Sequence, residues 1–460
     1  MSIAGVERVM TDFAITLGLT FFVVCLAFVL FHSMRVGRLT LLGWSILGIG
    51  GVYGVGWSIV VEVTRSGGNP TWENWILPYT HLYPIHTALT FVLMVAMYFG
   101  WLIFGSLFLR GGRKTSLLGS KTRNQEKRLL IAMWCLLITA FVMQWLYTLA
   151  YGGFLGLLEY SRSIRSAIFP IQNRLSFLQP FGGLALFASF GFFGLWLSRC
   201  RRPAVWLGLC LSSLFSLYIL YSWMGRIGFL TYLATFVLGA ILSRKLRPLS
   251  LLFWGLGIMI AILVGVYCIS IWLDLKPADN LLVFLARELS FPFGSFFGQL
   301  DFGENLFRCF KDFIVAPVYL LPSSLWTQWV ENVSQVNTAL IMGAPKGEQG
   351  VTGAIPVDLL TLGLMQMSVF GIPIVGAAFG ALLRLIQCLL DNVDNPGLRA
   401  VFEAHIAIKV AVLGVFYAQP ALFVSGNFAL LVSVMVITFF LKAPRILWKG
   451  TEQRGVLSRQ

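Results

Sequence analysis

Three stretches of this 460-residue chain, Phe13–Phe31, Ala204–Tyr221 and Leu249–Trp272, contain no Lys, Arg, Asp or Glu. Uncharged runs of that length leave few choices of fold. A hydrocarbon layer about 30 Å thick is crossed by ~20 helical residues rising 1.5 Å each. In lipid a helix satisfies its own backbone donors and acceptors, which an open strand does not. Charged residues make up only 12% of the chain, against ~25% in soluble domains, so the polar surface that would coat a water-facing globule is missing. The sequence predicts an all-α polytopic membrane protein, with residues 1–460 forming one transmembrane bundle. Its spans fall at 12–32, 40–62, 84–107, 129–150, 180–198, 204–222, 227–243, 249–273, 358–383, 401–421 and 424–441. The first run is too long for a cleaved signal peptide and reads as a retained span.

Short basic linkers set the orientation. The segment Arg110–Arg128 carries seven Lys and Arg residues and is expected on the cytoplasmic side. Counting spans from it puts Arg35 and Arg38, the Arg199–Arg202 cluster, Arg244–Arg247 and the C-terminal tail on that same side. Segments 63–83, 151–179 and 274–357 then face outward. The last is expected to hold short amphipathic helices on the membrane surface, among them Leu281–Phe291, Leu306–Tyr319 and Leu325–Leu340, separated by prolines such as Pro292 and Pro322. The net charge of +15 resides mostly in linkers and does not mark a nucleic-acid partner. The seven cysteines are scattered without metal spacing. There is no P-loop, Rossmann glycine run or HEXXH pair, so neither a metal nor a cofactor is expected.

The outer segments carry the candidate chemistry. Arg162, Arg165 and Arg174 lie together in 151–179, a loop whose arginine content runs against the positive-inside trend. Arginine offers a planar fork of donors suited to phosphate. The bland alternative is contact with lipid headgroups or pairing with Glu159. Arg226 stands in a very short outer turn between two apolar spans, flanked by Gly225 and Gly228, where a charge is costly and an anion-binding role gains weight. Arg287 is a second candidate cation, with Glu288 beside it as base or ion-pair partner. Asp301 and Glu304 are further acids, either a base with its partner or a solvated helix face. His81 and His86 read as interfacial packing, and Glu403, His405 and Lys409 as pairing within the bundle. Tyr79, Tyr319, Trp326 and Trp329 offer flat faces that stack on sugars or anchor at the interface.

Along its whole length the chain resembles the O-antigen polymerase (Wzy) family of bacterial inner membranes. The resemblance rests on Gly225-Arg-Ile-Gly228 opening a span that ends in Ser243-Arg-Lys-Leu-Arg247, and on the large outer loop followed by Gly350-Val-Thr-Gly-Ala-Ile-Pro356. It rests also on the Phe-Gly span Phe370-Gly-Ile-Pro-Ile-Val-Gly-Ala-Ala-Phe-Gly380, and on Arg287 with Gly298 ten residues beyond. The matching arginine–glycine spacing is absent from 151–179, where Asn173, Ser176 and Ala185 stand instead. The resemblance implies a GT-C-like glycosyltransferase. Such an enzyme polymerises oligosaccharide repeat units carried on undecaprenyl diphosphate at the outer face of the inner membrane, for lipopolysaccharide or related polysaccharide biosynthesis. It also implies membrane lipids and a chain-length regulator protein as partners. Under it Arg226, Arg287, Glu288 and Asp301 are catalytic candidates, and Arg162, Arg165, Arg174, Arg226 and Arg287 bind the diphosphate. The O-antigen ligase shares the layout but carries a histidine in its large outer loop, and 274–357 has none. A flippase or transporter of lipid-linked sugars is the alternative from another class.

Overall fold

The computed structural model describes residues 3–66, 79–109, 123–165, 171–200, 202–244, 246–272, 280–302, 307–321, 325, 329–351 and 353–442. Among them the chain is helical, with no β-strand. In chain order the α-helices are α1 Ile3–Val36, α2 Leu41–Ile49, α3 Trp57–Arg65, α4 Tyr83–Leu109, α5 Arg123–Thr148, α6 Phe154–Arg165, α7 Leu184–Leu197, α8 Pro203–Ser222 and α9 Arg226–Leu242. They continue as α10 Pro248–Trp272, α11 Leu281–Phe302, α12 Lys311–Val315, α13 Val333–Met342, α14 Leu359–Asp391, α15 Pro396–Ile406, α16 Leu413–Phe416, α17 Pro420–Gly426 and α18 Phe428–Lys442. Wider π-helical turns, Gly50–Gly56 and Ala407–Val412, join α2 to α3 and α15 to α16. Nine of the described helical stretches are long and apolar enough to cross a membrane, or ten with the bent pair α17–α18 counted as one span. The basic stretch 110–122, Glu304 and Trp326 lie outside the described residues.

Contacts sort the helix termini into two ends of one bundle. At one end Arg38 makes a two-pronged salt bridge to Asp391, which Arg399 also reaches at 2.7 Å. Gln387 in α14 links this group to Glu403 and accepts from the backbone N–H of Leu41. The described basic linkers gather here. At the other end Arg65 pairs with Asp12, and the α8–α9 turn meets α6, α10 and α11. Helix direction alternates between the ends as the span order requires.

The tightest seam is between α4 and α14, and it is built on small residues. A Cβ at Gly380 would lie 1.9 Å from the Met97 carbonyl oxygen, and one at Gly100 would lie 2.0 Å from that of Ala377. With Gly376 and Gly380 four apart on α14, the two backbones touch, as small residues permit inside membranes.

The large segment 274–357 departs from expectation. Its first piece is not a surface helix broken at Pro292 but the continuous 22-residue α11 running through that proline. Proline removes one backbone donor, and packing outweighs that loss. Phe293, Phe296 and Phe297 are fully buried against Trp57, Tyr83 and His86. Both ends of α11 sit at the same end of the bundle. Glu288, near its start, meets Arg226, while Asp301 near its finish accepts a 2.7 Å bond from Tyr79 just ahead of α4. The helix therefore lies across that end of the bundle instead of crossing it. Gln299, Asn337 and Ser295 hydrogen-bond in a buried chain that fastens α11 to α13 and to the carbonyl of Ile355. Two later spans also differ from expectation. The helix through 401–416 stops at Phe416 because Pro420 begins a new one, and α17 and α18 meet at 44°.

Candidate functional site

The α8–α9 turn builds the site. Met224 takes a left-handed backbone conformation, φ 49°, which an ordinary side chain disfavours. The chain thereby reverses in a few residues and starts α9 with Arg226 as its first helical residue. A cation there opposes the helix dipole, at ~0.3–1 kcal/mol. Its neighbours offset that cost. One terminal nitrogen of Arg226 donates to Ser270 Oγ at 2.5 Å and the other to Glu288 Oε1 at 3.1 Å. Ser270 comes from the last turns of α10 and Glu288 from the second turn of α11. Two helices thus hold the guanidinium of a third, and two of its five donors are engaged by these bonds. The ring of Phe284 lies under it, 6.0 Å from Cζ to centroid.

Two further cations adjoin this pair. Arg165, last in α6, donates from Nη1 to the Met224 carbonyl at 2.6 Å. Loss of solvent draws its pKa below the usual arginine range, the Arg226 charge adds to that, and Glu288 partly counters it. Lys346 donates from Nζ to the carbonyl of Arg165 at 2.8 Å. Its pKa is also lowered, first by loss of solvent and then by the Arg165 charge. Lys346 is carried there by a loop whose glycines Gly343, Gly347 and Gly350 all have φ between 80° and 97°, a region glycine enters without strain. Arg165, Arg226 and Lys346 against Glu288 leave a formal excess of three minus one, or +2.

Below the pair opens an apolar cleft of about 290 Å³. Its walls come from α9, α10, α11, the π-helical turn at Gly50–Gly56 and the segment Ile408–Tyr417. Glu288 is its one charged lining residue among the described residues, at the upper rim beside Tyr417 and Phe291. From Ile227 to Leu238 on α9 the cleft descends eleven residues, ~16 Å of helix.

The structure brings together some of the candidates named from sequence and separates others. Arg165, Arg226 and Glu288 converge. Arg287 adjoins Glu288 on α11 and is half-buried, and Arg162 lies one turn before Arg165 on α6, both of them exposed. Arg174 is exposed in the stretch leading to Ser176. Asp301 does not join the group. Thirteen residues of helix, ~20 Å, separate it from Glu288, and it is bonded to Tyr79. His86 is not interfacial but fully buried in a ring of Tyr53, Tyr83, Phe293, Phe296 and Phe297, with neither ring nitrogen hydrogen-bonded. Arg308, between α11 and α12, makes a two-pronged bridge to Asp312, which also accepts from Gln366. That group holds the loop on a break in α14 at Met367–Ser368, where Met365 and Gln366 carbonyls accept from the N–H groups of Arg308 and Cys309.

Sequence reasoning missed Lys346, Ser270 and Tyr417. The one available signal was for Lys346, an isolated lysine in the turn-rich run Gly343-Ala-Pro-Lys-Gly347. Among the described residues, no group of three or more His, Cys, Asp or Glu has metal-binding geometry. Comparison of the chain with family models, with curated proteins and with solved structures found no match.

Proposed function

We propose that this protein is a membrane glycosyltransferase that joins oligosaccharide repeat units carried on a polyprenyl diphosphate, in the manner of the O-antigen polymerases it resembles. The carrying observation is the +2 excess formed by Arg165, Arg226, Lys346 and Glu288 at the mouth of an apolar cleft. A lipid diphosphate is two-part in the same way, an anionic group on a long apolar tail. Cations aimed at a departing diphosphate stabilise the charge that grows on its oxygen as the bond breaks.

In this reading a hydroxyl of the acceptor glycan attacks the anomeric carbon of the donor. The carbon–oxygen bond to the diphosphate breaks, and its electron pair leaves with the phosphate oxygen. The hydroxyl proton passes to Glu288 or to the departing phosphate. The energy comes from the sugar–diphosphate bond, so no nucleotide is required. The reading extends to a GT-C-like arrangement, to a bacterial inner membrane and to outward placement of the end carrying Arg226. Purified protein in detergent, given a synthetic lipid-diphosphate repeat unit, is expected to yield a ladder of longer glycans. Recovery of only the starting compound, under conditions where the protein binds it, would remove the transferase reading in favour of transport.

A further inference from the structure

Beside the cation group, on the far side of the Trp223–Arg226 turn, lies a second cavity of about 320 Å³, within the range of small-molecule sites. We propose that it holds the sugar nearest the diphosphate, an inference that rests on the transferase reading above. Three features argue for a sugar rather than a second phosphate. First, the walls include the indole of Trp223, a flat apolar face with a polar handle. The Trp223 Nε1–H is buried and has no partner among the described residues.

Second, the polar groups are mostly neutral. Ser161 and Ser222 commit their hydroxyl protons to the carbonyls of Leu157 and Ile219, which leaves oxygen lone pairs as acceptors. Gln179 adds both a donor and an acceptor from the 3-10 turn ahead of α7. A pyranose presents the matching surface, with hydroxyls that both give and accept at its rim and C–H groups on its face. Third, the single charged wall among the described residues is Arg165, which also belongs to the diphosphate site. The Arg165 bond to Met224 fastens it to the turn that carries both Trp223 and Arg226. A group in this cavity is therefore covalently next to a diphosphate held by Arg165 and Arg226, where the first sugar of the donor or acceptor must be.

The test measures affinity of the purified full chain in detergent for undecaprenyl diphosphate, bare or carrying one glucose, galactose, N-acetylglucosamine or N-acetylgalactosamine. At least one sugar-bearing lipid should bind tenfold or more tighter than the bare lipid. In Gln179→Ala and in Trp223→Ala that ratio should fall to within twofold of one, and Trp223→Phe, which keeps a ring but loses the N–H, should lie between. Arg226→Ala should weaken all five lipids together. Equal affinity for all five in the unsubstituted protein, or a ratio unmoved by both alanine substitutions, overturns the sugar site and leaves the diphosphate site standing. Failure of the bare lipid to bind overturns the diphosphate site and the inference with it.

Discussion

Arg226 and Glu288 meet across 62 positions of sequence, with 3.1 Å between Nη2 and Oε1. The contact joins the start of α9 to the second turn of α11 and fixes the direction of the guanidinium fork. Both side chains are about three-quarters or more covered, at 20% and 26% exposure. A point charge in place of the fork would reach Ser270 or Glu288 but not hold both in that plane.

Arg226→Lys should therefore cut the rate of glycan extension by about 10²–10³-fold, the usual loss when one donor to a developing oxyanion is removed. The check is the initial rate of ladder formation at saturating repeat unit. A rate near that of the unsubstituted protein would exclude Arg226 from the reaction.

Lys346 gives the site a pH signature. Its pKa lies below the ordinary lysine range, ~10.4, so its charge is lost at a lower pH than a free lysine's. Activity should fall on the alkaline side before free lysine titrates. Lys346→Arg, which keeps its charge, should move that limb to higher pH. For stability the sign is opposite: the unfolded lysine holds its proton more tightly, so Lys346 makes stability rise with pH between its folded and unfolded values. A pH–rate profile with the same alkaline limb in both proteins would place Lys346 outside the site.

Sidedness is open to direct labelling. A thiol introduced at Ser163, in α6 beside Arg162, should react with a membrane-impermeant maleimide added to intact cells. One at Ser120, in the basic stretch between α4 and α5, should react only after the membrane is opened. The reversed pattern would put the cation group on the cytoplasmic side and end the polymerase reading.

The α4–α14 seam predicts a stability contrast. Gly380→Ala forces a methyl group against the Met97 carbonyl, and backbone on two packed helices does not yield cheaply. A loss of ~1–3 kcal/mol is expected, seen as a lower Tm in detergent. Gly257→Ala in α10, where a Cβ meets nothing within 4 Å, should leave Tm unchanged or raise it, by up to ~1 kcal/mol of stability. Equal effects would mean that α4 and α14 are not in backbone contact.

The spans were legible because a bilayer demands long uncharged runs, and the chain supplies them. Arg165, Arg226 and Glu288 were each nameable as charges in segments expected to lie outside the spans. Their convergence was not, because it depends on how α11 packs against α9 and α10. Pro292 misled for a related reason. Read locally it ends a helix, but Phe293, Phe296 and Phe297 bury against Trp57 and His86, and this outweighs one missing hydrogen bond. Lys346 reaches Arg165 only through the left-handed turns at Gly343, Gly347 and Gly350, a path that residue spacing does not encode. Asp301 looked equal to Glu288 as an acid. The length of α11 separates them.

The placement of α11 across one end of the bundle sets the parity of the chain. By length and apolarity it qualifies as a crossing, and counting it as one would reverse the sense of every helix from α14 onward. Because it does not cross, α10 and α14 run in opposite directions, with α11 between them in sequence at one end of the bundle. A membrane insertion machinery that reads hydropathy segment by segment must release α11 rather than thread it. The seat it lies on is made by Tyr53, Trp57 and His86, all from earlier in the chain, which pack against Phe293. The site is in this sense built by the placement of α11: the Glu288–Arg226 contact exists only with α11 seated there.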